Sequence, residues 1–166
     1  MTQTVSLAER YRQFWRWFAL AALVCSVVAG LGLFVNQGRY QLAAVVIDGR
    51  TNVTVKVADS PKKQARGLSI VDRLADDEGM LFVFPQPSDY GFWMKGMTFP
   101  IDIIWLKDGK IVDIMVDLPP QSDVDGQLPI YRPRVAVTEV LEVPAGFSAR
   151  HGLKIGMPVE YRIDTN

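Results

Sequence analysis

An uncharged run of 18 residues, Phe18 to Val35, constrains this chain more than any other feature. Counted from Trp17 as a helix, it rises about 28 Å at ~1.5 Å per residue, close to the ~30 Å hydrocarbon core of a bilayer. A single transmembrane helix is therefore expected over residues 17–35. Arg10, Arg12 and Arg16 precede it against one acid, Glu9, with Phe14, Trp15 and Trp17 at the boundary. Positive charge stays cytoplasmic and Trp favours the interface, so residues 1–16 are expected inside and residues 36–166 outside. A cleaved signal peptide is the alternative, with Val27-Val28-Ala29 as a cleavage site. The apolar run continues past that point without the polar region that usually precedes cleavage, which favours a retained anchor.

The expected helix has two faces. Ala22, Ser26, Ala29 and Gly30, with Ala21 and Cys25, make a stripe of small residues, while Leu20, Leu23, Val24, Val27 and Leu31 fall mostly opposite. Small residues at this spacing let another helix approach closely in lipid, so an integral membrane protein is an expected partner beside the lipid bilayer itself. The plainer alternative is that Ala and Gly are simply common in membrane helices.

Beyond the anchor the composition changes. Residues 40–166 hold 14 Lys and Arg against 17 Asp and Glu, a mildly acidic balance that gives no pull toward nucleic acid. The single Cys falls inside the apolar run and there is a single His, so disulfide frameworks and the usual zinc sites are not expected, nor is any cofactor. The pattern is mostly period two: Val53, Val55 and Val57 alternate with Thr54 and Lys56. Ser60-Pro61 marks the start of a short helix that Gly67 can end. Met80–Phe84, Phe92–Lys95, Ile101–Leu106, Ile111–Leu118, Arg134–Val143 and Pro158–Ile163 are expected strands, with Lys107-Asp108-Gly109-Lys110 as a hairpin turn. A long Pro- and Asp-rich loop spans 119–133, and a short helical turn falls near Phe147 to His151. The expected fold is mainly β: a linker and first strand over 36–49, then a small antiparallel barrel or sandwich with short helices over 50–166.

Five motifs recur in order along this part: Arg66-Gly67-Leu68; Gly79-Met80-Leu81-Phe82-Val83-Phe84; Phe92-Trp93-Met94-Lys95 with Pro100-Ile101-Asp102; Val140 to Gly146; and His151 to Gly156. In them the chain resembles an uncharacterised bacterial and archaeal family, a domain of unknown function whose members are usually exported or membrane-anchored. The resemblance implies a compact β-rich fold with short helices and no established reaction, while the anchor at 17–35 leads one to expect a bacterial cytoplasmic membrane location with the C-terminal part periplasmic or extracellular. Members of that family often carry two cysteines in the loop corresponding to 119–133. Gln121 and Leu128 stand near those places here, so no redox role carries over.

Five residues are candidates for a binding site: Arg66, Trp93, Lys95, Asp102 and Glu142. On a strand, Trp93 and Lys95 share one face and Phe92 and Met94 the other. Lys95 then acts as a desolvated base, or rests its stem on the ring, or pairs with Asp102 on the next strand. Arg66 is either a carboxylate clamp or a salt-bridge partner of Asp72, Asp76 or Glu142. Glu139, in line with Val135, Val137, Leu141 and Val143, is either a perturbed acid or an edge-strand charge. Gly67 and Gly79 are expected to supply backbone freedom. Asp123-Val124-Asp125-Gly126 imitates half a calcium loop, but Arg132 occupies the position where Glu belongs.

The leading expectation is a non-catalytic accessory, assembly or interaction subunit of a membrane protein complex, docking through its helix and its 119–133 loop. No recognisable catalytic set and no metal site appear in the sequence. The rival is an enzyme or binding protein for a small anionic ligand, with a pocket near Trp93, Lys95, Asp102 and Arg66.

Overall fold

The computed structural model describes Leu20, Leu23, Ser26 and residues 39–121 and 128–163. The chain divides into two units at the Arg39–Tyr40 bond. In the first, Leu20, Leu23 and Ser26 are helical and exposed. Among the described residues no helix is long and apolar enough to cross a membrane. The rest of the expected span, with Ala22, Ala29 and Gly30, lies outside the described residues, as does the Asp123 to Gly126 segment.

The second unit is built on seven strands: β1 (Gln41–Ile47), β2 (Thr51–Ala58), β3 (Glu78–Ser88), β4 (Ile101–Lys107), β5 (Lys110–Leu118), β6 (Val137–Pro144) and β7 (Val159–Ile163). Helix α1 (Pro61–Arg66) and a 3-10 turn (Gly67–Ile70) link β2 to β3, and α2 (Phe147–Arg150) follows β6. The strands form one sheet in the order β5-β4-β6-β3-β2-β1-β7. This is mainly β with few short helices, as the periodicity leads one to expect, but the sheet is not a closed barrel. Its outer strands meet only at one corner, where Lys110 bridges Pro158 and the Val159 N–H donates to the Gly109 carbonyl at 2.8 Å. Nor is it wholly antiparallel. β2 and β3 run parallel, pairing Val55 with Gly79 and Val57 with Leu81, because α1 and its turn return the chain in the same direction.

Local chemistry explains the two hairpins. Asp48-Gly49 joins β1 to β2 and Asp108-Gly109 joins β4 to β5, and all four residues have positive φ. That is the turn whose twist matches paired strands, and Asp and Gly tolerate it. The Asp108 turn is the one expected from the sequence. The Asp48 turn makes β1 an integral strand, so the β unit begins at Tyr40.

Alternation along the strands builds a core on each face of the sheet. Val45, Ile47, Val53, Val55, Val57, Leu81, Ile104, Leu141 and Val143 pack together with Phe147 of α2 on one face. Met80, Phe82, Ile101, Ile103, Trp105 and Val140 pack on the other, covered by Leu68 and Met94. β4 contributes to both, which is why Ile101 to Leu106 is continuously apolar apart from Asp102.

Phe92–Lys95 is not a ladder strand. It is held by single bridges, Phe92 to Tyr131 and Lys95 to Gln121, so the described ends of the 119–133 segment lie alongside it. Phe92 and Tyr131 exchange both backbone hydrogen bonds at 2.8 Å.

Candidate functional site

One cavity of about 260 Å³ opens on the face covered by α1 and the 90–99 segment. Arg66, Trp93, Lys95 and Glu142 all line it, so four of the five candidate residues converge. The walls include Phe82, Phe84, Tyr90 and Phe92. Phe84 and Tyr90 stack at 3.6 Å with planes 10° apart, and Phe82 meets Phe92 edge-on at 4.9 Å. These rings fix the shape of the wall through packing, and the Tyr90 hydroxyl adds a hydrogen bond to the Gln86 carbonyl at 2.6 Å.

Glu142 is the most unusual member. It sits on β6 between Met80 of β3 and Ile103 of β4, two apolar neighbours, and is only 5% exposed. Its Oε2 has no hydrogen-bond partner among the described residues. Burial disfavours the charged form and pushes the carboxyl up to about 8. At neutral pH it is therefore mostly a carboxylic acid, able to donate as well as accept.

Arg66 closes α1. That helix is pinned to the sheet by Gln64, whose Nε2 donates to the Val83 carbonyl at 2.9 Å and to that of Ala58 at 3.3 Å. Among the described residues no carboxylate lies within ion-pair distance of Arg66, so the expected salt bridge to Asp72, Asp76 or Glu142 does not form. Asp76 faces Arg150 instead, at 3.5 Å. The field of Arg66 is felt at Tyr40, whose phenol is raised chiefly by burial and lowered in part by this cation.

Trp93 and Lys95 both line the cavity, with Met94 fully buried between them, but Phe92 lines it too, so the alternation expected of a strand is not kept. Trp93 is 54% exposed and Lys95 is exposed as well, so the desolvated-base expectation for Lys95 is not met. Like Arg66, Lys95 has no carboxylate within ion-pair distance among the described residues.

Asp102 does not belong to this site. Its carboxylate is fully buried and accepts the backbone N–H groups of Asp117 at 2.9 Å, Gly146 at 3.1 Å and Ser148 at 2.8 Å. It ties β4 to an irregular point in β5, where Asp117 has positive φ, and to the start of α2. The expected pairing with Lys95 is replaced by a clasp of three backbone N–H donors.

Two further expectations change. Glu139 is not on an edge, because β6 lies between β4 and β3; its carboxylate accepts from Thr138 at 2.6 Å and from the Tyr161 hydroxyl at 3.4 Å. Burial, then the charge and hydrogen bond of Glu139, raise that phenol. Gly79 is required by close approach rather than backbone freedom, since a Cβ there would lie 2.5 Å from the Glu142 carbonyl oxygen. Gly67, at φ 50°, does need the freedom expected of it.

The aromatic walls were the part of the site that sequence reasoning missed. Their signal lies in Phe82, Phe84 and Tyr90, on either side of two prolines at 85 and 87, where the pairing of β3 with β6 shifts register between Val83 and Ser88.

A model of the DUF192 family, described as Uncharacterized ACR, matches residues 43–161. Two solved structures are similar. One, from Sinorhizobium meliloti 1021 and described as a candidate transcription regulator, is 31% identical with a TM-score of 0.67, over 74% of this chain and 95% of that one. The other, a protein of unknown function from Novosphingobium aromaticivorans DSM 12444, is 28% identical with a TM-score of 0.66, over 74% and 87% of the two chains. No curated protein matches.

Proposed function

The chain belongs to the DUF192 family, and from that premise we propose that its β unit is a binding module for a small organic anion. One observation carries this: two cations without carboxylate partners among the described residues, Arg66 and Lys95, share an aromatic cavity with a buried carboxyl that is mostly neutral at pH 7. The lining therefore has a net positive charge beside apolar surface, which favours an anion with a hydrophobic body. Among the described residues that line the cavity, the Ser69 hydroxyl donates to the Arg66 carbonyl and that of Tyr90 to the Gln86 carbonyl rather than to a base, so binding rather than turnover is the reading. With residues 17–35 as an anchor, the module would face outward from a bacterial cytoplasmic membrane. The regulator description of the Sinorhizobium protein is not carried over, because residues 40–166 have more acidic than basic side chains. Calorimetric titration of the full-length chain with a panel of small carboxylates tests the proposal. Binding that is lost in Arg66→Met and Lys95→Met supports it, and silence across the panel ends it.

The accessory-subunit reading is supported by a different observation. Leu20 and Leu23 are helical and exposed, so apolar side chains await lipid or a partner helix. Purification of the tagged protein in mild detergent, followed by mass spectrometry, tests it. A stoichiometric integral membrane partner, released when Ala22, Ser26 and Gly30 are replaced by Leu, is the expected result. A clean monomer would remove this reading.

A further inference from the structure

The cavity has a deep end and a rim, and they differ chemically. At the deep end is Glu142, whose Oε2 is buried without a partner. A buried polar atom left unsatisfied costs free energy, so it selects an occupant that can bond to it. The titratable groups that share the cavity are Arg66, Lys95 and Tyr90, while the strand neighbours of Glu142, Met80 and Ile103, are apolar and offer no partner. At the rim, Arg66 and Lys95 remain in contact with water.

We propose that the occupant is a hydroxylated carboxylate of sugar-acid size, with its carboxylate at the Arg66 and Lys95 rim and one hydroxyl against Glu142. The assignment rests on the anion-binding reading above and specifies its ligand. A hydroxyl suits the deep position in either protonation state, since it donates to a carboxylate and accepts from a carboxylic acid. A second carboxylate there suits only the protonated acid, and an apolar group leaves Oε2 unsatisfied. The ligand charge belongs at the rim, where bidentate Arg and mobile Lys can reach it. The size agrees. The volume of about 260 Å³ exceeds the roughly 150 Å³ cavity that accepts benzene and falls short of most drug-sized pockets. The flat Phe84–Tyr90 pair and the half-exposed Trp93 supply surfaces for the C–H face of a pyranose ring.

The test is calorimetry on the full-length chain at pH 7 with D-glucuronate, D-glucose and benzoate. D-Glucuronate is expected to bind at least about tenfold more tightly than glucose, which lacks the carboxylate, or benzoate, which lacks the hydroxyls. Glu142→Leu should weaken glucuronate about tenfold and leave benzoate unchanged, a change in specificity that general loosening of the fold would not produce. Glu142→Gln, with a donor and an acceptor, should bind glucuronate within about threefold of wild type. Benzoate or glucose equalling glucuronate overturns the sugar-acid assignment and leaves the anion site standing in the first case. Glucuronate affinity that falls by more than about tenfold in Glu142→Gln also overturns it, since an amide that both donates and accepts should serve a ligand hydroxyl. No binding by any of the three removes the anion-binding reading with it. Should Glu142→Leu fail to fold, the wild-type ligand series and Glu142→Gln still decide.

Discussion

Arg66 and Glu142 line the same cavity without forming an ion pair, and among the described residues Glu142 Oε2 has no hydrogen-bond partner. A cation and an acid that share a pocket but do not neutralise each other leave both available to a third molecule. The chemical character of the site follows from that separation.

The first prediction is a pH dependence of stability. The Glu142 carboxyl titrates near 8 when folded and near its ordinary value of 4.5 when unfolded. Between those values the unfolded chain has released its proton and the folded one has not, so this group's contribution falls as pH rises from 4.5 to 8. It is flat outside that window. The full effect is on the order of 5 kcal/mol at most. Thermal melts from pH 5 to 9 should show a decline in wild type that is shallower in Glu142→Gln, with the variant the more stable above pH 8. Parallel profiles would contradict this.

The rim cations are expected to be separable from stability. Arg66→Met and Lys95→Met remove exposed charges with no carboxylate partner among the described residues, so unfolding free energies should change by less than about 0.5 kcal/mol. Affinity for a bound anion should drop about tenfold in each. A urea midpoint that moved with the affinity would point to a structural role instead.

Asp102 should behave in the opposite way. Asp102→Ala leaves the N–H groups of Asp117, Gly146 and Ser148 without their acceptor, at a cost of about 3 kcal/mol or more. Asp102→Asn keeps one carbonyl oxygen and should lose less. Equilibrium denaturation in urea measures both, and ligand affinity of whatever remains folded should be unchanged.

Two glycines make a matched pair. Gly79→Ala pushes a methyl to 2.5 Å from the Glu142 carbonyl oxygen, and backbone cannot yield cheaply. A loss of about 2 kcal/mol or more is expected. Gly152, with φ of 61° and open space around it, should cost only about 1 kcal/mol as Ala, from strain alone. Similar losses at both positions would mean that the Gly79 contact relaxes.

Much of the local structure was legible before the fold was known. The Val53, Val55, Val57 alternation, the Asp108-Gly109 turn, the Ser60-Pro61 start of α1 and the buried run of β4 each depend on neighbours a few residues away. That Trp93 and Lys95 line one site was legible as well. The 92–95 strand was not, because an apolar run pairs only where a partner edge is present, and here single bridges to Gln121 and Tyr131 take its place.

What the sequence determined by itself, then, is which residues alternate, where the chain turns, and that the apolar run at 18–35 stands apart from a mildly acidic β-rich remainder. Only the tertiary structure decided which faces meet. The parallel return through α1 sets Arg66 beside β3, and the register of β6 between β3 and β4 puts Glu142 in the same cavity. The same β4 that flanks Glu142 turns Asp102 toward Ser148 and away from Lys95. A period of two assigns a residue to a face of its strand and says nothing about which strand comes next. Strand order is settled by burial summed over the whole core, and for that reason a cavity shared by residues 66, 95 and 142 could not be seen from any one segment.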